Sequence, residues 1–579
     1  MGFSDIVYAS KGLVVLSPNG VYISSASQHK VVIRTVNPFQ TFKIYSCVDI
    51  VTGLVWSADS LFILSILKGR NIVQIFCLEN PEWTCKVDEG SAGLLSAVWA
   101  PDSRHFLTTT DFHLRITIWS VSEVSVSYLE LPKACANNLA FCPGGRYMAL
   151  LERRDLRDHL SLFDCRFQWT LDWNIILDTN DAENIVWSPH GLYILVCDNC
   201  LYYKAAIYNI LGEHLRTYCA YKPGEAPLGI KSVSWHPTGQ LLALGSYDQK
   251  CRLLNDVNWN CFACLKHPVG KPIDPSVGLG PSGRPIQVGE NSTPFSSHRI
   301  DIYEECRSKD STDTLMNSEI ISESFTVQYK LINNSVTIKS KKPDRTQPFP
   351  ERGIGLTEFS PDGRYLATRN DNCSNVIWIW SINIHLSLRS LLIHTSGDVS
   401  SLVWDPNYSG RLALCTGSDT VFLWTPQGCL TIQSPAYFNF TTSSLCWLPS
   451  GDGMLLKSKD EFCLCYLNSD DVDDDGGDDD DDDDDDNNDN NKVEKHNSVW
   501  KSSQLNTSNG ELHRNVVRRN SMCVPNHCPP SMKLHGNGVH RQRPISHPNW
   551  LKHHGEFPSI PMKIKKCPSQ HSRNFLISK

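Results

Sequence analysis

The chain has 579 residues, is 41 % hydrophobic and 20 % charged, and carries a formal net charge of −8, values of a globular protein long enough to bury a large core or several smaller ones. No cationic segment leads into an apolar stretch with a cleavage site, and the best apolar run, LFILSIL at Leu61, is one strand long and far short of a membrane span. A soluble, intracellular protein is expected, whose 22 Cys then read as small buried hydrophobes and not as a disulfide framework.

In chain order, FSDIVYAS opens the sequence and is followed by VLSPNG at Ser17. That second element recurs as VWSADS at Ser57, VWAPDS at Ala100, AFCPGG at Cys142, VWSPHG at Ser188, SWHPTG at His236, EFSPDG at Ser360, VWDPNY at Asp405 and CWLPSG at Leu448. Successive anchors are 40, 43, 42, 46, 48, 124, 45 and 43 residues apart. Eight of the nine carry Pro directly after the anchor and eight carry Trp or Phe directly before it, so the period is a property of the fold and not of composition. In FSPDGRYLAT, residues 359–368, Pro361 presets φ for a turn while Asp362 and Gly363 supply local hydrogen bonding and a permissive backbone.

After each turn come two short apolar strands joined by a polar turn, as in RYLATRND followed by NVIWIWSI. Units of roughly 40 to 45 residues, with four short strands and an aromatic closing the third, describe a WD40 propeller blade. The fold class expected is all-β, a WD40 β-propeller of about nine blades. Nine exceeds the usual range of about four to eight blades in one ring. The 124-residue step also leaves room for a degenerate tenth, so one large ring and two packed propellers both stay open. The last block ends in EFCLCYL, a third strand with no fourth behind it, and FSDIVYAS can supply the missing strand from the other end of the chain.

The blades depart from a strict repeat. Trp-Asp occurs at Trp404 and Asp405, before the turn and not at the end of a third strand, and there is no Gly-His dipeptide. The buried Asp-His-Ser-Trp network of regular repeats is therefore expected to be incomplete. Asp111, Asp248, Asp371 and Asp419 follow second strands and read as turn residues that bind backbone, a duty that needs no special environment.

The propeller region spans residues 1–467, with a low-complexity insertion at about 266–342. Residues 468–491 form an acidic low-complexity run; Asp470 to Asn491 hold 15 Asp. Residues 492–579 form a basic tail with 15 Lys plus Arg against 3 Glu, rich in Pro, Ser, Asn and His, and expected to be disordered. That tail invites a nucleic-acid reading, but the neighbouring aspartates compete for the same cations and no aromatic-interleaved basic strand is present, so no nucleic-acid partner is expected.

Apparent chemical motifs lose their meaning in context. GLGPSG, with Gly278, Gly280 and Gly283, spells a dinucleotide fingerprint, yet Pro281 sits in the phosphate turn and neither the strand nor the helix the mechanism requires is present. CDNC (Cys197, Cys200) and CFAC (Cys261, Cys264) have zinc-like spacing but fall in or beside blade strands. Cys523, His527 and Cys528, with His535 and His540 beyond, suggest a metal site in the tail, against the blander reading of a His-rich tail. No catalytic, cofactor-binding or metal-binding residue is assigned, no interaction residue can be named, and no cofactor or small-molecule substrate is expected.

The segments EGSAGLLSAVWAPDSRHFLTTTDFHLRITIWSV, PKACANNLAFCPGGRYMALLERRD, IKSVSWHPTGQLLALGSYDQKCRLLN, GLTEFSPDGRYLATRNDNCSNVIWIWSI and SKDEFCLCYL together resemble the WRAP-type family of centrosomal and spindle-pole WD-repeat proteins, whose vertebrate member is encoded antisense to a tumour-suppressor paralogue. The likeness runs from about Met1 to Leu467; DEGSAGL and FHLRITIWS are its specific features. It implies a non-enzymatic scaffold in the cytoplasm and cytoskeleton, at the centrosome, centriolar satellites or spindle pole. Such a scaffold acts with a coiled-coil SSX-interacting adaptor, and in fungi a minus-end-directed kinesin, in microtubule minus-end anchoring, spindle assembly and cilium formation. The alternative weighed against it is a WD40 substrate receptor of a ubiquitin ligase, which would use the same architecture.

Overall fold

Nine antiparallel sheets follow one another along the chain, at residues 14–46, 53–88, 96–130, 139–176, 182–218, 230–266, 354–393, 401–433 and 444–466, here blades 1 to 9. The computed structural model describes residues 2–467, apart from 124, 223–224, 226–227, 285–298, 310–324, 343–345, 347–351, 384 and 435–439, and beyond them 563–564 and 574–578. Blades 1 to 8 each contribute four consecutive strands paired in chain order. Nine buried apolar clusters join each blade to the next, the last joining blade 9 to blade 1. The blades therefore form one closed ring, and the two-propeller arrangement is excluded.

The recurring turn follows from its residues. In blade 7 the Ser360 hydroxyl donates to Asp362 Oδ1 at 2.5 Å and accepts the Tyr365 amide at 3.0 Å, while Asp362 Oδ1 accepts the Arg364 amide at 3.0 Å. Gly363, at φ +72°, closes the turn where a side chain would be strained. Ser17, Ser57 and Ser188 accept the amide five residues on in the same way, each at 2.9 Å. The aromatic before the anchor rivets neighbouring blades. Trp56, Trp99, Trp187, Trp404 and Trp447 each donate their indole N–H to a first-strand carbonyl of the preceding blade, on Val15, Val55, Ala140, Glu358 and Val403, at 3.0 to 3.2 Å. Trp235 departs from the pattern: its nitrogen is buried without a partner among the described residues, and its ring meets Trp259 edge-on.

The N-terminus completes blade 9 as the sequence suggests. Gly2 and Phe3 pair with Tyr466 and Cys465, and Val7 and Tyr8 with Phe462 and Glu461, so the last blade's outer strand comes from the chain's other end. Ala9, Val14 and Ile23 then pack against Leu455, Phe462 and Leu464. Across the seam, Lys457 Nζ donates to the Val14 carbonyl at 2.8 Å and the Tyr466 hydroxyl to that of Val36 at 2.7 Å. Closure removes an open sheet edge and buries apolar area worth about 25 cal/mol per Å².

The long step between His236 and Ser360 holds no tenth blade among the described residues. Within the stretch 266–342, Asp301–Lys309 lies parallel to the outer strand of blade 7, Ser387–Ile393, and Phe325–Ile332 pairs antiparallel beyond it. This hairpin also grips blade 8. Tyr329 packs on Phe422 with ring centres 5.1 Å apart, and Thr431 Oγ1 donates to the Val327 carbonyl at 2.8 Å. Buried Glu305 accepts the Thr395 and Ser396 amides at 2.8 and 2.9 Å through Oε2, fixing the connection into blade 8. In the tail, Asn574–Ser578 forms a strand parallel to the outer strand of blade 2, Thr84–Asp88, with Lys563–Ile564 beside it. NFLIS is the most apolar stretch of that tail, which is why a strand arises there. The acidic run lies outside the described residues.

Candidate functional site

Meander topology sorts the connections onto two faces of the ring. One face carries the Ser-Pro turns and the turns between third and fourth strands. The other, here the loop face, carries the turns between second and third strands and the crossings between blades. On the loop face the first strands of blades 5 and 6 and the loops before blade 4 line a cleft of about 550 Å³.

Charge in this cleft is tied up internally. Lys133, on the connection into blade 4, donates to Asp158 Oδ2 at 2.9 Å and Asp181 Oδ1 at 2.6 Å. Asp158 also accepts Arg153 at 2.6 Å and the Ala182 amide at 2.7 Å. Burial opposes its ionisation, but these donors outweigh burial and hold its carboxyl below the usual range. Asp198 accepts the Asn180 and Asp181 amides, yet burial prevails and lifts its pKa. Such a network fixes the loops around the cleft.

In blades 3 and 7 a buried indole donates to a threonine that has a third polar partner. In blade 3, Trp119 Nε1 donates to Thr108 Oγ1 at 2.8 Å and Thr108 Oγ1 to Glu89 Oε1 at 2.5 Å, with Arg115 placed 3.5 Å from the second carboxylate oxygen. In blade 7, Trp380 Nε1 donates to Thr368 Oγ1 at 3.0 Å, and His267 Nε2 lies 2.8 Å from that oxygen. His267 sits between the edges of Trp378 and Trp380, and burial drives its pKa to about 3, so the imidazole is neutral. No aspartate touches it, and the network is incomplete as expected. Sequence inspection missed both third members. His267 stands almost ninety residues before the blade it serves, and Glu89 lies in DEGSAGL without a histidine to mark it.

The four turn aspartates divide. Only Asp248 accepts a backbone amide, from Lys250 at 3.2 Å; it also receives Arg252 at 2.6 Å, together with the hydroxyls of Tyr221 and Ser246. Asp371 pairs with Lys231 at 2.5 Å and Arg369 at 3.0 Å, and Asp419 accepts the Thr420 hydroxyl at 3.2 Å. Asp111 and Asp371 lie over Gly93 and Gly355, where a Cβ would stand 2.0 and 2.1 Å from a carboxylate oxygen. The backbone-binding role expected of all four therefore holds for one: Asp371 is taken by salt bridges and a glycine contact, Asp111 lies over a glycine, and Asp419 accepts a hydroxyl.

Of the two cysteine pairs only Cys197 lies in the core, while Cys200, Cys261 and Cys264 are half-buried. Cys197 is buried, which pushes its thiol to about 12, and burial likewise raises Cys200 and Cys264. Among the described residues no group of three or more His, Cys, Asp or Glu could hold a metal ion. GLGPSG forms a turn in which Gly283 donates to the Gly280 carbonyl at 3.0 Å, and the Leu279 carbonyl accepts the Leu388 amide of blade 7 at 2.9 Å. Cys523, His527, Cys528, His535 and His540 lie outside the described residues.

A family model, WD domain, G-beta repeat, matches residues 213–255, from the outer strand of blade 5 through the third strand of blade 6. Mouse WD repeat-containing protein WRAP73 is 42 % identical over 469 residues, covering 81 % of this chain and 96 % of that protein. An uncharacterized WD repeat-containing protein of Schizosaccharomyces pombe is 27 % identical over 215 residues, 36 % of this chain and 41 % of its own. Among solved structures, the C-terminal WD40 domain of Sif2 aligns with 81 % of this chain and 99 % of its own at 10 % identity, with a TM-score of 0.40. By the extent and identity of the match to the mouse protein, the chain belongs to the WRAP73 family of WD-repeat proteins.

Proposed function

We propose that this protein is a non-enzymatic scaffold of the centrosome and spindle pole, acting through protein–protein contacts in microtubule minus-end anchoring, spindle assembly and cilium formation. The observation that carries the reading is family membership over 96 % of the mouse relative. A rigid ring with loops on two faces is suited to it, since a preformed surface loses little freedom on binding. The proposed partners are the coiled-coil SSX-interacting adaptor and a minus-end-directed kinesin; no catalytic family is indicated.

The test is where a tagged full-length chain sits in dividing cells, paired with proximity labelling. Enrichment at spindle poles with pericentriolar proteins is the expected result. Labelling of cullin adaptors with no pericentriolar protein would replace the scaffold by a ubiquitin-ligase receptor.

A further inference from the structure

On the loop face, four of the nine turns between second and third strands put a polar residue or glycine alone at positive φ: Gln28, Asn71, Gln249 and Gly417 in blades 1, 2, 6 and 8. Blades 3 and 4 add a bulky apolar residue beside the polar one, Phe112 before His113 and Leu156 after Asp155. Phe112 stands at φ +57° and is 89 % exposed, and Leu156 stands at +61° and is 87 % exposed. Left-handed backbone is an outlier for bulky side chains; it persists where the surrounding structure imposes it, and such residues cluster at functional sites. Blade 4 also reaches further, its second and third strands being eight residues each, Tyr147–Arg154 and Arg157–Asp164. Asp155 and Leu156 form the two-residue tip, a turn that favours Asn-Gly and not Asp-Leu. Leu131, half exposed, lies at the base of this hairpin, its carbonyl accepting the Arg153 amide at 3.3 Å.

Beside the tip, Arg154 and Arg157 face each other in the last register pair. Like charges directly opposite destabilise a hairpin. Arg154 leans back to Glu152 at 2.6 Å, while Arg157 is exposed with no ion pair among the described residues. Two unfavourable features, an apolar tip in strained backbone and a cationic cross-strand pair, thus coincide in a chain that has polar and glycine alternatives at equivalent turns. A partner offering apolar side chains to Leu156 and Phe112 and carboxylates to the arginines would cover the exposed apolar surface and neutralise the cationic pair. We propose that the hairpin tips of blades 3 and 4 are a docking surface for an acidic, amphipathic protein segment. This rests on the scaffold reading and assigns it a face.

The test uses the full chain and three labelled synthetic peptides of about 20 residues: an amphipathic Glu/Leu peptide, the same with Lys for Glu, and the same with Ser for Leu. Fluorescence anisotropy is expected to show binding of the first alone. Leu156→Gly is expected to weaken it roughly tenfold while leaving the melting temperature unchanged or higher, because glycine relieves the turn. Arg154→Glu with Arg157→Glu is expected to transfer preference to the Lys peptide. Equal binding of the three peptides, indifference to these variants, or a lowered melting temperature in Leu156→Gly would overturn the proposal. So would variant-sensitive binding to phosphatidylserine vesicles with none to peptide. Leu156→Gly chains that still collect at spindle poles while no peptide discriminates reject this face and leave the scaffold standing. Peptide binding in a chain absent from spindle poles does the reverse.

Discussion

Blades 3 and 7 solve one packing problem with opposite chemistry. Each must satisfy an indole N–H and a threonine hydroxyl buried between strands, and each recruits a side chain from the incoming connection. Blade 3 uses the carboxylate Glu89 with Arg115 as counter-charge; blade 7 uses neutral His267 wedged between two tryptophans. The fold demands a hydrogen-bond partner at that point but is indifferent to its charge. Charge decides only how the blade responds to pH and to loss of the partner.

Removing the shared element should cost most. Trp119→Ala and Trp380→Ala each delete a buried indole and should lower stability by about 3–5 kcal/mol, read as a fall in denaturation midpoint; a loss below about 1 kcal/mol would show that these rings do not anchor their blades. Next, Glu89→Leu should cost about 2–3 kcal/mol by taking the carboxylate from the Thr108 hydroxyl and Arg115, whereas His267→Leu should cost less because no charge loses its partner. Equal losses would erase the distinction.

Acid should separate the two blades further. His267 has a folded pKa near 3, below the ordinary value of about 6.5. Above 6.5 both states are neutral; as pH falls below it the unfolded chain takes up a proton the folded one refuses, so stability declines from about pH 6.5 downward. His394, at about 4 for the same reason, adds to the decline. His267→Gln should flatten part of that slope in thermal melts between pH 7 and 5, and an unchanged slope would mean the imidazole is protonated in the fold. The smallest effect expected is from Thr108→Val and Thr368→Val, about 1 kcal/mol each and additive in the double variant because the sites share no contacts.

What could be read from the sequence is what repeats. Trp56 and Ser57, Trp187 and Ser188, and the other anchors recur because every blade needs the same rivet and turn, and EFCLCYL without a fourth strand points to FSDIVYAS because a sheet edge must be paired. What occurs once was hidden. Nothing near EFSPDG announces that His267, on the far side of an insertion, will contact Thr368. DIYEECRSK and FTVQYKLI sit in a polar, Ser- and Asn-rich stretch, so their pairing with blade 7 emerges only through contacts such as Glu305 with Ser396 and Tyr329 with Phe422. Leu156 and Phe112 escape notice because neither residue type marks a turn; their conformation is imposed by register and not by propensity.

The shared ninth blade sets an order of events. The segment bearing Phe3 and Val7 is made before every other strand of the ring, yet its partners at Cys465 and Phe462 are among the last of the ring to be made. During synthesis the growing arc carries an unmated β-edge at its leading end and another at its trailing end, and chaperones or a neighbouring nascent chain have that whole interval in which to meet them. A fusion placed ahead of Gly2 would therefore burden the latch itself, and a reporter for this protein belongs elsewhere.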